Sequence, residues 1–176
     1  IRKSVVQVRN NKLQKQYEIT WNIDTVETAR ISTTEITNVN QKGGTWFDLL
    51  PQGLNYIDGS AVLKEKNSDK EYKVKVSTIP NYKNTGRTLL KITTDDEVKE
   101  PTLFFTTSFE YSAIKDYGGK LYNPVAFETG NKDITNGTAD KCTNLSQFNE
   151  EMSGLTEDKG NRFIYSETIY FILLIR

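Results

Sequence analysis

The sequence predicts an all-β fold, an antiparallel sandwich with a long polar excursion before its last strand. Three observations predict it. Apolar and polar residues alternate with period two in several short runs, the pattern of a strand with one face buried. Gly, Pro, Asn and Asp separate those runs and suit tight turns. Thr, Asn, Ile, Val, Tyr and Phe are plentiful, whereas Ala, the strongest helix former, is scarce. A chain of 176 residues is long enough for one domain with a real core, or one domain plus a fragment.

The elements follow in order. Ser4–Arg9 is a short first strand. Gln16–Asp24 alternates cleanly, with Tyr17, Ile19, Trp21 and Ile23 on one face and Glu18, Thr20, Asn22 and Asp24 on the other. Thr34–Val39 is another short run. A strand then runs into Asp48 and ends at Pro51, whose ring fixes φ and whose nitrogen has no hydrogen to donate. Gln52-Gly53 reverses the chain, Leu54–Ile57 resumes it, and Asp58-Gly59 turns it again. Ala61–Glu65 is short. Glu71–Ser77 sets Tyr72, Val74 and Val76 against Glu71, Lys73 and Lys75. Thr88–Thr93 and Thr102–Ser112 are further strands, the second with Leu103, Phe105, Phe109 and Tyr111 on one face. Tyr117-Gly118-Gly119-Lys120 is a hairpin turn into Leu121–Thr129, where Leu121, Val125 and Phe127 share a face. Matched parity predicts one contiguous core of Ile19, Trp21, Val74, Phe105, Phe109, Val125 and Phe127. Many short antiparallel strands with little helix fit a sandwich of immunoglobulin type.

Gly130–Asn161 has a loop composition, dense in Asn, Asp, Gly, Thr and Lys. A short helix is expected inside it, with Leu145, Phe148 and Met152 on one face, Asn144 as cap and Gly154 as stop. Phe163–Ile175 is the last strand, and its nearly continuous apolar end needs cover on both faces. The expected organisation is a sandwich core over 1–130, a polar loop over 131–162, and a final strand over 163–176. That final strand belongs to the same domain or opens a neighbouring module.

Composition excludes several function classes. Lys plus Arg and Asp plus Glu are 23 each, so the net charge is zero and no nucleic-acid partner is expected. There is no histidine, which removes the commonest general base and metal ligand, and with it any Ser-His-Asp or Cys-His arrangement. Cys142 is the single cysteine; it sits beside Lys141 with no legible base, and it cannot form an intrachain disulfide. Asp95-Asp96 and Glu150-Glu151 are adjacent acids of the kind that solvent covers. Lys42-Gly43-Gly44 and Gly118-Gly119 are turns rather than phosphate loops. The chain begins at Ile1 rather than Met and is expected to be a piece of a longer protein. The apolar tail 170–175 is far too short to span a bilayer, so no membrane insertion by this segment is expected.

The segment Thr45–Ser60, TWFDLLPQGLNYIDGS, has further meaning. Asp48, Leu50, Pro51, Gly53, Leu54, Tyr56, Gly59 and Ser60 stand in the order of a D-x-L-P-x-G-L-x-Y-x-x-G-S pattern. This resembles the signature of repeated immunoglobulin-like modules in Gram-positive bacterial cell-surface proteins of adhesin type, over roughly Lys12 to Gly130. The resemblance implies a non-enzymatic structural or adhesive module, without a cofactor, on the cell wall or secreted. Its partners would be neighbouring modules and a host or cell-surface protein or glycan. An accessory carbohydrate-binding sandwich attached to an enzyme is the alternative, and a flat aromatic face would favour it.

Three constellations follow. Some of the resembling modules join a Lys of an early strand to an Asn of the last strand, with a buried acid nearby. Burial suits that chemistry, because it favours a neutral amine and a protonated acid. Lys15 shares parity with Tyr17, Ile19, Trp21 and Ile23, and Asn123 shares parity with Leu121, Val125 and Phe127. Asp48, just before the Pro51 turn, is where the resembling modules tend to hold their acid; Glu110 is a second choice. Alternatively Lys15 is solvated, Asn123 bonds a neighbouring loop and Asp48 caps the turn. The second is a set of oxygen ligands in the excursion, Asn131, Asp133, Asn136 and Asp140, which lacks EF-hand spacing and suits a solvated loop better than calcium. The third is aromatic: Trp46, Tyr82, Tyr117 and Tyr122 lie near turns, where they either stack on a partner or plug the ends of the sandwich.

Overall fold

The computed structural model describes residues 1–30, 32, 34–118, 120–123, 125–130, 163–165 and 170–172. β1 (Arg2–Asn11) turns back at 12–15 into β2 (Gln16–Asp24), and the two pair antiparallel along their length. β3 (Glu27–Arg30) and β4 (Ile36–Val39) form a small ribbon. β5 (Gln41–Leu50) ends at Pro51, as its missing donor requires. The Leu54 N–H donates to the Pro51 carbonyl at 3.0 Å, with Gly53 at φ 88° in the third position of the turn. β6 (Asn55–Tyr56) follows, and a second turn closes when Ser60 N–H donates to the Ile57 carbonyl across Gly59. The remaining strands are β7 (Val62–Glu65), β8 (Glu71–Tyr72), β9 (Lys75–Ile79), β10 (Thr88–Val98), β11 (Pro101–Glu110), β12 (Lys120–Tyr122), β13 (Val125–Thr129), β14 (Phe163–Tyr165) and β15 (Tyr170–Ile172).

The strands form two main antiparallel sheets. One has the order β1-β2-β11-β7-β8, with β6 also paired to β11; the other has the order β14-β13-β5-β10-β9. β12 pairs with β15. The fold is therefore an all-β, immunoglobulin-like antiparallel sandwich. Its core draws Ile19, Trp21, Ile23, Leu103, Phe105 and Phe109 from the first sheet and Trp46, Leu50, Leu90, Ile92, Val125 and Phe127 from the second. Burying each such side chain is worth about 1.5–3 kcal/mol, which is what holds two sheets together without a disulfide. Gly44, at φ 146°, is needed where the Phe127 ring of the neighbouring strand β13 crosses over β5: a Cβ there would sit 2.4 Å from that ring.

Four expectations change. The run 71–77 is not one strand. β8 belongs to the first sheet and β9 to the second, so the chain changes sheets at Lys73-Val74 and Val74 is only partly buried against the core. The run 102–112 ends at Glu110, and Tyr111–Tyr117 forms a 3₁₀ segment closed by Gly118 at φ 56°. The run 121–129 is divided, with β12 ending at Tyr122 and β13 starting at Val125. Of the last strand expected over 163–175, the described residues hold β14 beside β13 and β15 beside β12, in different sheets, and the other positions lie outside them. The short helix expected at 144–154 lies outside the described residues.

Candidate functional site

In an antiparallel pair, directly opposed residues share a face. Lys3 opposes Ile23 and Val5 opposes Trp21, and both β2 partners are fully buried. The register of β1 on β2 therefore turns Lys3 into the core. On the other sheet, Asp48 of β5 opposes Leu90 and Val125, again both buried. Asn123 precedes Val125 by two residues, and it is buried as well. The sandwich thus brings a lysine of one sheet against an acid and an amide associated with the other.

The Lys3 ammonium lies 2.5 Å from Asp48 Oδ2 and donates to the Asn123 backbone carbonyl at 2.9 Å. Lys3 and Asp48 side chains are 0% and 1% exposed. The Lys3 nitrogen stands 4.5 Å from the centre of the Trp21 ring and 5.7 Å from that of Phe105. Among the described residues, the second oxygen of Asp48 and both polar atoms of the Asn123 side chain are buried without a hydrogen-bond partner. Such orphaned groups cost about 1–3 kcal/mol each, so the cluster is a poor device for stability as it stands.

Burial governs the protonation of the pair. It lowers the Lys3 pKa from 10.5 to about 8, against the pull of Asp48 and with a smaller push from the Arg87 charge. It raises the Asp48 pKa, opposed by Lys3 and, more weakly, by Arg87 and the Asn123 amide. That amide is close enough to be felt by the carboxylate without forming a hydrogen bond of ordinary geometry. Arg87 is held near the end of β5 by the carbonyls of Leu49 and Leu50, at 2.8 and 3.2 Å. Both shifts favour the neutral pair, which a proton reaches by crossing from Lys3 to Asp48. That transfer would leave an uncharged amine, a carboxylic acid and a primary amide in one buried volume. These are the groups that amide transfer needs.

Of the residues singled out from sequence, Asp48 and Asn123 come together; Lys15 and Glu110 do not join them. Lys15 is exposed in the β1–β2 turn at φ 54°, and a left-handed residue breaks the parity that linked it to Tyr17. It lies at the far end of the hairpin from Lys3, roughly 25 Å along the strand. Glu110 is exposed at the end of β11, opposite Gln16. Lys3 is the residue the sequence reading passes over, by starting the first strand at Ser4. Its shared parity with Val5 is the signal.

Trp46 is not a surface aromatic. It is buried, packed at 4.9 Å against Phe127, and its indole N–H donates to Thr25 Oγ1 at 3.1 Å. Tyr117 is half-buried, edge-on to Phe109, with its hydroxyl donating to the Gln52 carbonyl; burial pushes its pKa up to about 12. Tyr82 is partly exposed in a 3₁₀ turn beneath the Lys83 ammonium, and Tyr122 stands on β12 opposite Tyr170. The loop residues Asn131, Asp133 and Asp140 lie outside the described residues. Among the described residues, no three His, Cys, Asp or Glu side chains converge on a metal position, and no helix is long and apolar enough to cross a membrane.

No family model and no curated protein matches the sequence. Among solved structures, the chain is similar to domains D2 and D3 of the major pilin SpaD of Corynebacterium diphtheriae, with 16% identity, a TM-score of 0.43 and 74% of this chain covered. Full-length SpaD gives 13% identity and 0.49 over 97% of the chain. The N-terminal domain of the Streptococcus gordonii adhesin Sgo0707 gives 9% and 0.49 over 98%. The chain spans 45%, 34% and 32% of those three structures, respectively.

Proposed function

We propose that this chain is a structural or adhesive module of a Gram-positive bacterial surface protein, and that it reinforces itself by joining Lys3 to Asn123 through an amide bond. The buried Lys3–Asp48–Asn123 cluster carries this reading. A proton passes from the Lys3 ammonium to Asp48 over the 2.5 Å contact. The neutral amine attacks Cγ of Asn123 while the Asp48 acid polarises the amide oxygen. The Cγ–Nδ2 bond breaks, Nδ2 takes up a proton of the attacking amine, and ammonia leaves. Asp48 keeps the proton it took from Lys3 and ends as the neutral acid, and each chain reacts once, so this is self-modification rather than turnover.

The bond relieves the cost of the cluster by replacing a buried ion pair and an orphaned amide with one neutral link. It also staples β1 of the first sheet to the entry of β13 in the second. A domain closed in this way suits a role in projecting or presenting a surface outside the cell. The partners that fit are neighbouring modules of the same protein and a host or cell-surface protein or glycan. The accessory carbohydrate-binding alternative loses its strongest aromatic, because Trp46 lies in the core. Peptide mapping tests the proposal. After digestion, the Lys3 peptide is expected to be joined to the Asn123 peptide in one branched product. Recovery of both as separate, unmodified peptides would refute it.

A further inference from the structure

The Lys3 nitrogen must be aimed as well as neutral. A lysine side chain has many rotamers, and attack on an amide carbon requires a narrow approach. Asp48 and the Asn123 carbonyl fix the nitrogen from one side. The Trp21 ring also packs against it, 4.5 Å from the nitrogen, with Phe105 farther off at 5.7 Å. Trp21 is fully buried, and its indole N–H donates to Thr107 Oγ1 at 2.9 Å. Thr107 is itself fully buried on β11 and makes no contact with the reacting groups among the described hydrogen bonds. A threonine hydroxyl in an apolar core is costly unless it serves as a partner, and here that partner is the indole.

We propose that Trp21, oriented by Thr107, is a positioning residue that seats the Lys3 amine for its bond to Asn123. The inference rests on that bond forming. The ring face attracts the ammonium before proton transfer, and afterwards it packs against the amine and its stem. The Thr107 hydroxyl fixes the plane of the indole, so it acts on Lys3 through Trp21.

Bond closure in freshly made chain tests this. Protein from a short cell-free synthesis is chased over time, and closed chain is separated from open chain by intact mass. Thr107→Val removes the acceptor with almost no change of shape and is expected to slow closure about 10- to 100-fold, the effect of a small misplacement. Thr107→Ser keeps the hydroxyl and is expected to restore closure to near the wild-type rate. In a Trp21→Phe background there is no indole N–H, so Thr107→Val is expected to have no further effect. Urea unfolding of the same substitutions in a Lys3→Met background records their effect on folding alone. Closure of Thr107→Val at the wild-type rate would overturn the inference. So would a slowing of equal size in the Trp21→Phe background, since Thr107 would then act on stability rather than through the indole. If the wild-type chain closes in those cases, the Lys3–Asn123 bond itself stands; a wild-type chain that never closes overturns both.

Discussion

Lys3→Met removes the amine and keeps an unbranched stem, so it deletes the bond with little change of packing. Lys3 and Asn123 are separated by 120 positions. Cross-linking a loop of that length removes about 16 cal/mol/K from the unfolded chain, or about 5 kcal/mol at 25 °C. For a domain of this size, about 5 kcal/mol corresponds to roughly 10–20 °C in Tm. Urea unfolding followed by tryptophan emission is the assay, since Trp21 and Trp46 are both buried. The variant is expected to unfold at a lower midpoint and with a larger m value, because an unlinked unfolded chain exposes more surface. Asn123→Ala deletes the same bond, so the double variant should be far less destabilised than the sum of the two. An unchanged m value together with a loss under about 1 kcal/mol would refute the reasoning.

Three further outcomes are expected. Asn123→Ala keeps the Lys3–Asp48 pair without the bond. With the Lys3 pKa at about 8 in the fold against 10.5 ordinarily, the unfolded chain binds more protons between those values. Stability of Asn123→Ala should therefore rise with pH across that window, by up to about 3 kcal/mol relative to Lys3→Met/Asn123→Ala, as urea midpoints would record. Phe105→Ala should cost about 3–5 kcal/mol in urea, since the ring is fully buried between the sheets. Gly44→Ala should cost more than about 1 kcal/mol, because its Cβ meets the Phe127 ring at 2.4 Å; Phe127→Leu should recover part of that loss in the double variant, measured in the same way.

Local physics was legible in the sequence and pairing was not. The alternation of Gln16–Asp24 announces which side of β2 is buried, because one strand suffices to show it. The turns at Gly53 and Gly59 were equally plain, since positive φ is a demand on a single residue. Asn123 shares parity with Leu121, Val125 and Phe127, and Asp48 is marked by its place before the Pro51 turn; both are buried beside Lys3. Lys3 was hidden because its inward direction is fixed by register against Ile23, and parity with Val5 is the one faint local sign of it. Lys15 misled because parity fails across a left-handed turn residue. Glu71–Ser77 kept a perfect alternation while its chain crossed from one sheet to the other, so periodicity recorded faces but not the sheet. Trp46 looked like a turn-boundary aromatic, yet it lies inside a ten-residue strand buried on both sides near its end.

Intact-mass spectrometry of the purified chain tests the central claim most directly. The account predicts a mass about 17 Da below that of the sequence, the loss of one ammonia. The deficit should persist in Lys15→Ala and vanish in Lys3→Met. A wild-type mass equal to the sequence mass, or a deficit that survives Lys3→Met, would contradict it.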